Sequence, residues 1–148
     1  MLKHARPLSH GHMLRVEVGP LGAGTNWSYY PQTRTWVEPV SITIVLATDA
    51  NVANRRVYVV FGGTTDDDVA IGFPMVQLAS STASYGLYRG IGIEQAAFYD
   101  GRALTSLPQG LLIQNPEQVR TEIVNLQAGD VISSVRARFR MWYDPVTI

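Results

Sequence analysis

The chain of 148 residues contains no cysteine. This absence excludes disulfide bonds, thiolate zinc sites and cysteine nucleophiles, although it does not fix the cellular compartment. Lysine is almost absent too, since Lys3 is the single lysine among 12 basic residues. Arginine makes planar, multi-donor contacts at interfaces, so the bias favours interface use, while the nucleotide composition of the gene explains it equally well.

Net charge and long apolar runs are missing as well. Acidic and basic residues number 12 each, so there is no overall field to attract nucleic acid or an anionic membrane. No run reaches the roughly 18 apolar residues of a membrane span, and residues 1–13 lack the apolar segment of a secretory signal. We therefore expect neither a nucleic-acid nor a membrane partner, and release by lysis or on a particle if the protein works outside a cell.

What the sequence does contain is alternation, most clearly in residues 131–143. Successive side chains of a β-strand point to opposite faces, so this segment predicts a long strand with one face in a core. The predicted core face holds Val131, Val135, Ala137, Phe139, Met141 and Tyr143, and the opposite face holds Ser134, Arg136, Arg138, Arg140 and Trp142.

Shorter strand patterns recur along the chain, separated by turns rich in Gly and Pro. Pro39 predicts an edge or a bend at the start of strand 36–47, and Pro74 makes 71–78 a poor central strand. This pattern predicts an all-β fold, specifically a jelly-roll-like antiparallel β-sandwich of residues 13–148. Residues 1–12 are predicted to form a flexible N-terminal arm.

The arginine row of the last strand is the best-defined surface feature. Like charges on one strand face repel, so carboxylates on adjacent strands, an acidic partner surface or phosphates should neutralise them. Zero net charge makes phosphates the weakest of these candidates, and pairing within the sheet and a partner interface remain equally open. The predicted interface residues are Arg136, Arg138, Arg140 and, from the arm, Lys3 and Arg6.

Aromatic residues cluster around a glycine loop, as Trp27, Tyr29, Tyr30 and Trp36. Such a cluster can bind a sugar, but large aromatic side chains more often fill the end of a sandwich core or contact another subunit. We therefore interpret the four as possible glycan or subunit contacts, with core or subunit contact favoured.

No pattern predicts catalysis, a cofactor or a metal site. The three histidines, His4, His10 and His12, fall in the predicted arm, which lacks the rigid frame of a metal site or a general base. The acidic run 66–68 lacks the spacing of a calcium loop, and the glycines of 19–25 lack the lysine of a phosphate loop. We predict that the protein is not an enzyme.

Two turn segments resemble those of a known group of proteins. They are Thr48-Asp49-Ala50-Asn51-Val52-Ala53-Asn54-Arg55-Arg56-Val57 and Asn125-Leu126-Gln127-Ala128-Gly129-Asp130, the second followed by Ser134-Val135-Arg136. Through them, residues 36–143 resemble small structural proteins of tailed-bacteriophage virions.

The resemblance implies a capsid decoration (cement) protein, a β-sandwich that sits on the outside of the head and braces neighbouring capsomers. The implied partners are the major capsid protein and further copies of the chain in a homotrimer. The implied location is the capsid exterior of the virion, after synthesis in the host cytoplasm. Alternatives are a tail or head-fibre component that binds a host-surface glycan through Trp27 and Tyr30, or a virion glycan hydrolase.

Overall fold

A computed structural model describes residues 11–63, 68–89, 97–99, 102–108 and 110–143. Within these ranges the chain forms eleven β-strands and no helix, and hence no helix able to cross a membrane. The strands are β1 (His12–Val18), β2 (Ser28–Tyr29), β3 (Thr35–Ala47), β4 (Arg55–Gly62), β5 (Val69–Gln77), β6 (Thr82–Tyr88), β7 (Ala97–Tyr99), β8 (Arg102–Ser106), β9 (Ile113–Gln114), β10 (Gln118–Val124) and β11 (Val131–Tyr143).

The strands form two sheets. The first sheet has the order β1-β11-β3-β6-β8-β7, with β9 also paired to β3, and the second has the order β2-β10-β4-β5. All pairs are antiparallel except β6 with β8, which is parallel. The prediction of an all-β fold of mostly antiparallel strands is therefore confirmed.

The core lies between the inner faces of the two sheets and follows the alternation of their strands. Tyr29 of the second sheet stacks on Phe139 of the first, with ring centroids 5.0 Å apart. The main aliphatic and aromatic members are Ile42, Ile44, Leu46, Val135, Ala137 and Phe139 from the first sheet and Val57, Val59, Phe61, Val119 and Ile123 from the second.

The alternation predicted for the last strand is right in its middle and wrong at its beginning. Ile132 is buried and Val131 is only half-buried, whereas the sequence placed Val131 in the core. The reason is a β-bulge, because Ile132 lies opposite Leu46 and Ser134 opposite Val45. Ser133 is thus an extra residue on β11, and one extra residue reverses the faces of everything before it.

The prediction is also wrong at the end of β11. Tyr143, predicted to face the core, is 63% exposed, while Trp142 on the outer face is buried. The chain just before β1 covers this indole, since a Cβ on Gly11 would lie 2.7 Å from Cε2 of Trp142. Along the outer face of β11, Arg136 and Arg138 are therefore exposed, whereas Trp142 is buried.

Both prolines predicted to disturb strands lie where pairing is irregular. Pro39 lies opposite Phe139 while Ser41 lies opposite Arg138, so Val40 is an extra residue on β3. Pro74 lies in β5, an edge strand of the second sheet, within a register shift against β4. Proline cannot donate a ladder hydrogen bond, which confines it to such edges and bulges.

Candidate functional site: the arginine face

Four arginines lie on the outer face of the two neighbouring strands β1 and β11, and we call them the arginine face: Arg15 on β1 and Arg136, Arg138 and Arg140 on β11. In the register of the two strands Arg15 lies directly opposite Arg138, and Glu17 lies opposite Arg136. The side chains of Arg15, Arg136 and Arg138 are exposed, and that of Arg140 is half-buried. The pairing of β1 with β11 therefore adds a fourth cation to the predicted row.

The arginine face contains one unfavourable cross-strand pair, Arg15 with Arg138, beside one favourable pair, Glu17 with Arg136. Side chains directly opposite on antiparallel strands have Cβ atoms about 4.5–5.5 Å apart, and like charges in that position destabilise the sheet. Ion pairs within 4.0 Å that join two described residues involve Arg55, Arg89 and Arg120, but none of the four arginines of this face. Even Glu17 does not come within that distance of Arg136. Among the described residues, therefore, no ion pair within the sheet neutralises the four arginines.

The far side of β11 provides almost no neutralising charge. The residues of β3 opposite Arg136 and Arg138 are Thr43 and Ser41, which are uncharged. Glu38 lies opposite Arg140 but is only 1% exposed and forms an ion pair with Arg89. The arginine face is therefore a positive band beside a neutral, hydroxyl-bearing strip.

Such a band of arginines is suited to binding anions. A guanidinium offers several N–H donors in a planar fork that matches the two oxygens of a carboxylate. Within the described ranges, no three His, Asp or Glu residues are grouped so that they could hold a metal ion. The exposed guanidinium groups of Arg15, Arg136 and Arg138 can therefore form hydrogen bonds with carboxylates.

The other predicted contacts have different positions. Lys3 and Arg6 lie outside the described residues, as do His4, His10, Asp66 and Asp67. His12 is described and begins β1, where its ring contacts Tyr143 edge to face.

The four predicted aromatic residues do not form one platform. Trp27 is 3% exposed and lies in the core, with its backbone N–H donating to Oγ1 of Thr121 at 2.9 Å. Tyr29 stacks in the core, and burial raises the pKa of its hydroxyl. Tyr30 is exposed, and Trp36 is half-buried.

The turn segments 48–57 and 125–130 meet at one end of the sandwich. Arg55, whose side chain is fully buried, joins them. Its Nε and Nη2 donate to the two oxygens of Asp130 at 2.9 Å, and Nη2 also donates to Oδ1 of Asp49 at 2.8 Å. Its Nη1 donates to the carbonyls of Asn51 and Ala53. All five N–H donors of this guanidinium are satisfied.

We call Asp49, Arg55 and Asp130 the loop clamp. Asp130 also accepts hydrogen bonds from the backbone N–H groups of Asp49 and Gln127, both at 2.8 Å. Burial favours the neutral acid, but these hydrogen bonds and that of Arg55 outweigh it and lower the pKa of Asp130. The hydrogen bond to Asp130 in turn raises the pKa of Arg55. The positive charge of Arg55 is thus matched inside the clamp, and the second carboxylate, Asp49, also accepts hydrogen bonds from the backbone N–H groups of Asn51 and Gly129.

Gly129 lies directly beside the loop clamp, where a Cβ would force the Asp49 side chain to shift. The N–H of Gly129 donates to Oδ2 of Asp49 at 3.0 Å, and a Cβ on Gly129 would lie 2.6 Å from that oxygen. The turn segments are therefore explained by structure: they join the loop after β3 to the turn before β11.

Sequence reasoning missed Arg15 as a site residue. Alternation in 13–18 already placed Arg15 on one face with Met13 and Glu17, which was the available signal. Its position opposite Arg138 depends on the pairing of the first and last long strands, which no local pattern indicates.

Comparisons with known proteins identify no relative. Neither a scan against protein-family models, a search of curated proteins nor a search of solved structures returned a significant match.

Proposed function

We propose that this protein is a non-enzymatic decoration (cement) protein of a tailed-bacteriophage capsid. It binds the outer surface of the head and reinforces contacts between capsomers. Its partners are the major capsid protein and further copies of itself in a homotrimer, and its final location is the virion exterior after synthesis in the host cytoplasm. Each copy adds a contact of about 800 Å² per partner, a standard size for a specific interface.

The finer fold that accompanies this proposal is a jelly roll. Jelly rolls are eight-stranded double sheets that recur in viral capsid domains. Support comes from the strand order, because β1-β11-β3-β6 lies in one sheet and β2-β10-β4-β5 in the other. In chain order the connections cross repeatedly between these two groups, and β7, β8 and β9 are an insertion between β6 and β10. A fold shared with capsid domains fits the proposal without identifying the function by itself.

The observation that carries the proposal is the unpaired arginine face. Arg15 and Arg138 are held opposite each other at a cost to the sheet, with no described carboxylate within 4.0 Å of either. A carboxylate-rich surface on a capsid protein would remove that cost on docking and would gain charge-assisted hydrogen bonds. The resemblance of the two turn segments to virion structural proteins is the reason for proposing a capsid protein as the partner.

A head-binding experiment tests this proposal. Purified protein is added to phage heads that lack it, and bound copies are counted by quantitative mass spectrometry. We expect saturation at about the copy number of the major capsid protein, and at least about tenfold weaker binding for Arg138→Glu, since it replaces attraction by repulsion. Arg56→Glu is the matched control, because Arg56 is an exposed arginine on the other sheet.

Two outcomes would contradict the proposal. One is equal binding by Arg138→Glu, Arg56→Glu and the unchanged protein. The other is an abundance of only a few dozen copies per virion, which is typical of a tail component.

The glycan-binding alternative has less support. Two of its four aromatic residues, Trp27 and Tyr29, pack in the core, and Tyr30 alone is largely exposed. Loss of binding to host-surface glycans in Tyr30→Ala, with head binding unchanged, would favour the alternative.

A further inference from the structure

Strand β1 is the first strand in the described order of the first sheet and lies at its edge. Among the described residues it pairs with β11 alone, from His12 opposite Met141 to Val18 opposite Val135. The register is continuous over seven residues, without a bulge. An edge strand presents a row of unpaired N–H and C=O groups that can pair with another chain.

The other described edges are unsuited to such pairing. β2 has two residues and β7 has three. β5 contains Pro74 and a register shift. Short length, proline, bulges and charged side chains protect edge strands, and of these β1 has only the charges, Arg15 and Glu17. β1 is thus the long, regular edge in the part of the chain that the structure describes.

We infer that β1 pairs with β1 of a second copy of this chain, antiparallel and with Val16 opposite Val16. A two-fold axis perpendicular to the sheet keeps the inner faces of both copies on one side. In this register Arg15 lies opposite Glu17 of the second copy, and Glu17 opposite Arg15 of the second copy. On the inner face Leu14 lies opposite Val18 of the second copy, and Val18 lies opposite Leu14 of the second copy.

The charges of β1 select this register over its neighbours. Centring the axis on Arg15 would place the two Arg15 side chains directly opposite each other, and centring it on Glu17 would do the same with two carboxylates. Directly opposed like charges destabilise a strand pair, while opposite charges and aliphatic pairs each stabilise it. Only centring on Val16 gives two ion pairs at once. It also covers Val18, which is 37% exposed.

The same contact relieves part of the repulsion in the arginine face. Glu17 of the second copy would lie beside Arg15, which faces Arg138 across β1 and β11. Two arginine faces would then adjoin across one continuous sheet and offer a wider positive band. This inference does not depend on the proposed function. It is compatible with a homotrimer formed through another surface, because β1 pairing would then link a copy in one trimer to a copy in the next.

Cysteine cross-linking tests the pairing directly, because the natural chain has no cysteine. A disulfide requires Cα atoms about 4.4–6.8 Å apart. This register brings Val16 of one copy and Val16 of the other within that distance. We expect Val16→Cys to give a covalent dimer on mild oxidation, and Leu14→Cys alone to give none. A mixture of Leu14→Cys and Val18→Cys should cross-link. Equal cross-linking of Val16→Cys and Leu14→Cys, or none by Val16→Cys, would overturn the inference.

Charge exchange provides an independent test by sedimentation velocity. Arg15→Glu and Glu17→Arg should each weaken self-association at least about tenfold, because each places like charges opposite each other in both symmetric pairs. The double variant restores opposite charges and should return to within about threefold of the natural protein. Single and double variants that associate equally would overturn the proposed register, and circular dichroism checks that each variant is folded.

Discussion

Arg55 and Arg138 are the same residue type in opposite environments. Arg55 is fully buried in the loop clamp, and all five of its N–H donors have acceptors. Arg138 is exposed, lies opposite another arginine, and has no carboxylate of the described chain within 4.0 Å.

The difference separates a structural arginine from one available for binding. A buried guanidinium is tolerated only when its charge is matched and its donors are satisfied, so Arg55 has no capacity left for a partner. Arg138 forms no ion pair with a described residue, and its position opposite Arg15 is electrostatically unfavourable. Arg55 belongs to the turn segment 48–57, whereas Arg138 belongs to the arginine face on β1 and β11.

The largest expected effect comes from breaking the loop clamp. Arg55→Met leaves the buried carboxylate of Asp130 without its cation, which should cost about 3–5 kcal/mol of unfolding free energy. Urea denaturation measures the loss. Arg56→Met is the adjacent control, since Arg56 is exposed and should stay within about 0.5 kcal/mol of the natural protein.

A second substitution shows whether the cost comes from the uncompensated charge. Arg55→Met combined with Asp130→Leu removes both ions and should recover part of the lost stability, because an apolar pair can replace a buried ion pair. A double variant less stable than Arg55→Met alone would show that the backbone hydrogen bonds to Asp130 matter more than its charge.

Acid should weaken the same clamp to a smaller extent. The folded pKa of Asp130 is lowered from 3.8, so the folded chain resists protonation that the unfolded chain accepts. Its contribution is therefore complete above about pH 4 and is lost as the pH falls through the lower folded pKa. The free energy of unfolding should fall more steeply with acidification in the natural protein than in Asp130→Asn. Equal slopes would contradict the assignment.

The fold was largely predictable because each long strand buries one face. Alternation in β3 and β11 directly reflects that burial. Pro74 correctly indicated that β5 is not a central strand, and Pro39 indicated the irregularity in β3. The bulge at Ser133 was not predictable, since an extra residue in a polar pair of serines leaves no local signal. The parallel pairing of β6 with β8 depends on the path of the intervening chain, which periodicity does not describe.

The two arginine environments differed in how far the sequence revealed them. The row on β11 follows from period-two spacing alone. The burial of Arg55 depends on Asp130, which is 75 residues further along the chain, so Arg55 looked like an ordinary polar residue of a turn. Arg15 became part of the site only through the pairing of β1 with β11.

The smallest expected effect has the opposite sign and concerns the arginine face. Arg138→Glu places a carboxylate directly opposite Arg15, so a repulsive cross-strand pair becomes an attractive one. Unfolding free energy should stay equal or rise, by at most about 1 kcal/mol, and the gain should shrink with added salt because exposed charges are screened. Urea denaturation at low and high ionic strength measures both effects. A loss above about 1 kcal/mol would mean that Arg138 supports the fold as Arg55 does, and weakened head binding by Arg138→Glu would then reflect misfolding rather than loss of a docking residue.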